Sequence, residues 1–311
     1  MEKLFEIIPH HHFATSLKEN TLGNIKIAVL REVIGNAIVR SNYPDETITF
    51  KLSQNREVLE VPARKMKSRE KLLGLRICRN FGVVDKSVRY NTISDKNFLS
   101  NPNSVLFGDS VTVSNDSASL PSRVIYDWAY SLRDIGYISE TYQHNAVNEF
   151  GTMWDEKAGK NSDKLFQVQY VKPGTYLPHF LVVENVTPEL FIHLMICVMN
   201  QSRYFAQSTT TSPSNVKNHI LGIGYSAFEQ PVNSYTISAN WSEDQEVSFE
   251  SVSIAINSSM KDHYGENYQS GEELTKLIQS LWQDQERMSK LYKKAAADCD
   301  AFLKDIKIIK K

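Results

Sequence analysis

Between residues 64 and 79 the chain reads RKMKSREKLLGLRICR, in which Arg64, Lys65, Lys67, Arg69, Lys71, Arg76 and Arg79 stand against one acid, Glu70. Cations at this density suit a polyanion. Arginine suits one better than lysine does, because its planar guanidinium can donate two parallel hydrogen bonds to a phosphate. The formal net charge of the 311 residues is −1. A positive field over the whole molecule is therefore excluded, and any nucleic-acid site has to be a local patch. The competing reading is an ordinary solvated helix face. Such a face mixes signs in pairs four residues apart, which a single acid cannot supply.

Residues suited to covalent or metal chemistry are sparse. His10, His11 and His12 are consecutive, so on a strand they would point to opposite faces, and no second cluster has metal-ligand spacing. Cys78, Cys197 and Cys299 are far apart, with no C-x-x-C pair, which fits a reducing compartment. The chain contains no G-x-S-x-G elbow, Walker loop or H-E-x-x-H. Asp45, Asp85 and Asp109 fall in expected loops, where each could act on a scissile phosphate or simply turn the chain. The expectation is a binder without metal or cofactor. MEKLFEIIPHHHF is too polar for a signal peptide, and no window reaches the roughly 18 apolar residues of a membrane span, so the cytoplasm is expected.

The elements that must position the basic stretch can be read around it. NIKIAVLREVIGNAIVR, residues 24 to 40, is rich in β-branched residues and reads either as a bulged strand or as a tight hairpin about Gly35 and Asn36. ITFKLSQNREVLEVPA reads as a second hairpin. After Pro62 the apolar period changes from two to 3.6, which predicts a helix from Lys65 to Arg79. At 100° per residue Lys65, Arg69, Arg76 and Arg79 fall within about an 80° sector, with Met66, Leu73 and Ile77 roughly 100° away. One stripe packs and its neighbour is cationic.

Further on, 80–122 is rich in Gly, Asn, Ser and Asp and reads as an irregular, exposed inserted lobe. SRVIYDWAYSL alternates, with Val124, Tyr126, Trp128, Tyr130 and Leu132 on one face; core is the expected role, with a base-stacking platform as the other. Residues 139–170 read as a long hairpin whose tip carries Met153 and Trp154, apolar groups that usually insert into a partner or between bases. Thr187 and Pro188 start a core helix ending near Arg203 and Tyr204, followed by a hydroxyl-rich loop with Thr209 and Lys217. Gly222 and Gly224 are a weak phosphate-cradle signal, NSYTISANW and EVSFESVSIAI read as strands, and Glu272 to Ile306 as one long helix within a C-terminal segment 270–311.

The order of these features resembles the RAMP superfamily of CRISPR effector subunits. PARKMKSREKLLGLR is similar to the basic helix those proteins share, and VLFGDS, SRVIYDWAYSL, HNAVNEFGTM, YVKPGT and RYFAQSTTTS resemble the Cas-seven-like backbone subunit of type I-D Cascade. The resemblance implies an α+β fold, a modified RRM-like (ferredoxin-like) palm over 1–311 with inserted finger lobes, a thumb hairpin and a long C-terminal helix. It implies a protein of antiviral defense that binds guide (crRNA) phosphates, oligomerises along the RNA beside other effector subunits, and presents the guide to target nucleic acid. Carried onto this chain, Arg40, Arg64, Lys65, Lys67, Arg69 and Arg76 would grip phosphates. Met153 and Trp154 would form the thumb wedge, and Arg203, Tyr204, Thr209 and Lys217 would line the other side of the groove. The alternative is a RAMP-type metal-dependent nuclease acting on target or guide RNA through a loop aspartate such as Asp45.

Overall fold

Strand Asn24–Val33 is buried on both faces, and that double-sidedness places it at the centre of a sheet. It pairs antiparallel with Tyr176–Glu184 on one side and Val216–Ser226 on the other. Val124–Tyr126 lies beyond the first and Tyr268–Ser270 beyond the second, giving an antiparallel sheet of five strands. The computed structural model describes residues 1–21, 23–40, 46–113, 116–145, 147, 149–155, 157–161, 165–207 and 211–310. The fold is α+β.

Side-chain alternation on the central strand divides the core in two. Ile25, Ile27, Val29 and Val33 join a large cluster with helix Pro188–Asn200 and the C-terminal helices, whereas Ala28 and Leu30 join a smaller one with helix Phe249–Tyr264. Helix Ala63–Asn80 covers the first face through Met66, Leu75, Ile77 and Cys78. Each such apolar side chain removed from water contributes roughly 1.5–3 kcal/mol. The helix is fed by a second sheet of Thr49–Lys51, Glu57–Val61 and Ala129–Asp134, so the expected hairpin after residue 47 is present.

Several expectations change. Residues 24–40 form a strand to Val33, and Ala37 and Ile38 then bridge to Val171 and Ala206 instead of folding back as a hairpin. NSYTISANW and EVSFESVSIAI hold helices Ser234–Ala239 and Phe249–Tyr264, not strands. Capping boxes at Asn233 with Thr236 and at Ser248 with Ser251 nucleate them, and Val252, Ile256 and Met260 repeat every four residues along the buried stripe. The long C-terminal helix is two, Gly271–Gln283 and Gln285–Asp305, because the Asp284 carboxylate leaves helical geometry to cap Arg287. Within 80–122, Pro102–Phe107 is a buried helix capped by Asn101, not an exposed excursion. His10–His12 is a helical turn, with His12 buried against Tyr225. Among the described residues no helix is long and apolar enough to cross a membrane.

Candidate nucleic-acid interface

The cations of helix Ala63–Asn80 fall into two groups. Lys67 points inward: its Nζ donates to Ser122 Oγ at 2.6 Å and lies over the Tyr126 ring, and burial pushes its pKa down to about 8. Lys71 donates to the Gly108 carbonyl at 2.9 Å and pairs with Asp109 at 3.0 Å, while Arg79 donates to the Val88 carbonyl. Arg69 donates to the Phe205 carbonyl at 2.6 Å. Arg64 and Arg76 are exposed, with no hydrogen bond or ion pair to another described residue. Lys65 is half-buried, and burial followed by the neighbouring Arg64 lowers its pKa. The expected row therefore keeps Arg64, Lys65 and Arg76 facing outward and ties Arg69 to a neighbouring loop, whereas Lys67 serves the fold.

Glu70 does not belong to the solvated face. Its carboxylate is buried against Arg31 at 2.7 Å, and it accepts hydrogen bonds from Tyr204 at 2.6 Å and from Tyr126. Arg31 also donates to His179 Nδ1 at 2.8 Å and Asn218 Oδ1 at 2.9 Å, and His179 Nε2 donates to the Asp127 carbonyl. Burial alone would lower the pKa of Arg31, but the charge of Glu70 and the flanking phenols outweigh it and keep the guanidinium charged. Burial and the Glu70 charge raise Tyr126 and Tyr204 well above the usual phenol range. Tyr204 is 0% exposed, so its ring belongs to this network and does not line a groove.

Backbone pairing gathers the rest of the candidate surface. Phe205, which receives Arg69, is followed by Ala206 paired with Ile38, and Arg40 two residues on bridges to Thr47. The Thr47 amide donates to Gln169 Oε1 at 3.0 Å, at the base of the hairpin of Ser139–Asn145 and Leu165–Val171. Arg69, Arg40 and the hairpin base thus occupy one neighbourhood. Phe205 and Gln207 hold φ of 66° and 47°, a left-handed region costly for either residue and one found at ligand clamps. Thr209 and Asp45 lie outside the described residues.

Other expected positions disperse. Arg203 is exposed and donates to the Pro213 carbonyl at 3.2 Å. Lys217 pairs in register with Glu32, so it emerges on the sheet face opposite the basic helix, because residues directly opposite in an antiparallel pair share a face. It borders a different cleft, with His219 and Phe249. Trp154 is 47% exposed and Phe150 71% exposed at the distal end of the hairpin, beside Met153. Gly222 and Gly224 are no phosphate cradle: a Cβ there would meet the rings of Tyr268 and Tyr264 at 2.4 Å. Among the described residues no group of His, Cys, Asp and Glu is arranged to hold a metal ion. Arg31 is the residue the pattern missed, and an arginine directly after the apolar run Ile27–Leu30 was its signal.

A family model described as Csc2 Crispr matches residues 47–306. Among solved structures, the chain is similar to the crystal structure of Thermofilum pendens Csc2, with a TM-score of 0.60 and 14% identity over 94% of this chain and 92% of that one. It is also similar to a chain of a CRISPR RNA-guided surveillance complex, pre-nicking, with a TM-score of 0.52 and 9% identity over 79% of this chain and 90% of that one. At these identities the likeness concerns the fold. No curated protein matches the chain.

Proposed function

The chain belongs to the Csc2 CRISPR family, and on that premise we propose that it is a type I-D effector backbone subunit that binds the phosphates of guide RNA. In this reading the five-stranded sheet is the RRM-like palm and the hairpin 139–170 is the thumb. The protein is a cytoplasmic binder, not a catalyst. It lines up with other copies of itself and other effector subunits on crRNA and leaves sequence reading to pairing with the target nucleic acid.

One observation carries the proposal. The single acid of the basic helix is withdrawn into the core by Arg31, so Arg64, Lys65 and Arg76 present uncompensated charge outward. A solvated helix face has no reason to hide its only anion. A phosphate-binding face does, because an exposed carboxylate would repel the backbone it grips.

The test is RNA binding across a salt series, comparing wild type with Arg64, Lys65 and Arg76 changed together to Ala. Affinity should fall equally for unrelated RNA sequences, and the slope of log affinity against log salt should shrink by about two to three contacts. Unchanged affinity and slope would assign the helix face to a protein partner instead.

A further inference from the structure

A cleft of about 540 Å³ opens at the end of strand Glu57–Val61 that lies away from the basic helix. It runs between the close of strand Ala129–Asp134 and the segment linking helices Ser234–Ala239 and Phe249–Tyr264, and its size is that of a ligand site. Arg56 and Trp241 line it, each only 5% exposed. The Arg56 guanidinium is clamped by the carbonyls of Trp241, at 2.9 Å, and of Leu132. Two donors are left over: the Nε–H of Arg56 and the indole Nε1–H of Trp241 are buried with no acceptor among the described residues. Buried donors are nearly always paired, so two of them lining one cleft point to acceptors that a bound molecule brings.

The rim adds a charge requirement. Among the described residues four carboxylates, Asp134, Glu243, Asp244 and Glu246, line the cleft against two guanidiniums, Arg56 and Arg133. Asp134 is tied to the Glu57 and Gly136 amides, both at 2.8 Å. Glu243, Asp244 and Glu246 are exposed, and their side chains make no hydrogen bond or ion pair with another described residue. The Tyr137 ring stands at the same rim, 74% exposed. A ligand that fits has to bring acceptors to the floor and cations to the rim. Nucleic acid has acceptors with the wrong charge, and a protonated polyamine has cations with no acceptor. A basic peptide has both: its backbone carbonyls accept, its lysine or arginine heads reach the carboxylates, and their stems lie on Tyr137.

We propose that this cleft holds a lysine- or arginine-rich segment of a partner protein, with Arg56 and Trp241 donating to its backbone carbonyls and Glu243, Asp244 and Glu246 pairing with its cations. The basic helix of a second copy does not meet the requirement, because a helix uses its carbonyls internally. The site stands apart from the guide-binding reading. Helix Ala63–Asn80 begins beyond the other end of strand Glu57–Val61, and the two surfaces select partners of opposite charge.

The experiment reads, by fluorescence polarisation, the binding of a short labelled peptide in which lysine alternates with alanine. Wild type should bind it saturably, and Glu243→Lys/Glu246→Lys should weaken binding by about tenfold or more. The control Glu272→Lys/Glu286→Lys makes the same charge change at exposed sites on the C-terminal helices and should stay within about twofold of wild type. Trp241→Phe keeps a ring and removes the donor; it should weaken the peptide by about three- to tenfold while spermine, followed by calorimetry, binds it as it binds wild type. Thermal unfolding confirms that the four proteins fold alike. No saturable binding by wild type, or an equal loss in the control, would overturn the inference. Unchanged peptide affinity in Trp241→Phe would overturn it too, leaving only an acidic rim. Self-association of wild type that disappears in Glu243→Lys/Glu246→Lys would make the occupant a second copy, and RNA affinity that falls in Trp241→Phe would make the cleft part of the RNA surface; either result overturns the assignment.

Discussion

Arg31 and Glu70 meet 2.7 Å apart with no exposure to solvent, one from the middle of the central strand and the other from the basic helix laid across it. The contact fixes the helix's rotation about its own axis. With Glu70 held at the sheet, Arg64 and Arg76, each about a third of a turn from it on either side, are left exposed. The charge row is thus aimed by a pair that never touches solvent.

Glu70→Gln keeps the shape of the side chain and leaves the Arg31 charge uncompensated. It should cost about 3–5 kcal/mol in urea unfolding, the range for breaking a buried pair from one side. Adding Arg31→Met should recover part of that loss, because the stranded charge is gone. A cost near zero for Glu70→Gln would mean that water reaches the pair and that the helix is aimed by its apolar stripe alone.

The legible part of this fold was periodic. The shift to a 3.6 period after Pro62 located helix Ala63–Asn80, Thr187 and Pro188 located helix Pro188–Asn200, and strand-like blocks at either end of 139–170 located the hairpin strands. Composition misled where capping decided the outcome: β-branched residues in EVSFESVSIAI suggested a strand, yet Ser248 and Ser251 cap a helix there. At the site the pattern gave the charge and not its destination. Nothing in RKMKSREK separates Lys67, which reaches inward to Ser122, from Lys65, because each side chain's direction depends on what the sheet brings beneath it. Lys217 was misplaced for a related reason, since a strand residue's face follows from register, and register was not readable.

Gly74 sits mid-helix, where alanine normally stabilises by about 1 kcal/mol. Here a Cβ would lie 2.2 Å from Asn103 Oδ1 and 3.0 Å from both Cys197 Sγ and His193 Nε2. All three are buried, so the neighbours have little room to give. Gly74→Ala should therefore destabilise by about 1–3 kcal/mol despite its better helix propensity. A rise in melting temperature would show that the two helices can part to accept a methyl group.

Acid should unfold the protein partly through its histidines. Burial holds the pKa of His193 down at about 3, against 6.5 for an ordinary histidine, and burial, reinforced by Arg31, holds His179 well below the same reference. Between those values the unfolded chain binds a proton that the folded chain refuses. The stability is complete above pH 6.5 and drains as pH falls, at up to about 1.4 kcal/mol per pH unit for each group. Asp127 opposes this: burial raises its pKa to about 6, so its contribution is present at low pH and lost as pH rises through that value. Two histidines against one carboxyl leave a net loss toward acid. Urea midpoints at pH 7 and 4.5 should show it, and His193→Asn should flatten the difference; an equally steep dependence in the variant would remove His193 as a cause.

The hairpin tip should separate folding from function. Strands Ser139–Asn145 and Leu165–Val171 pair along their whole length below it, so the hairpin's hydrogen bonds do not depend on the exposed Trp154. Trp154→Ala should therefore change stability by no more than about 0.5 kcal/mol, the usual range for an exposed position. If the tip wedges between bases, a 2-aminopurine placed at successive positions of the guide should brighten periodically with wild type, where stacking is broken, and lose that period with Trp154→Ala. Fluorescence that is flat with wild type would remove the wedge and leave the tip as a protein contact, because a ring that does not unstack bases has no other route to a periodic signal.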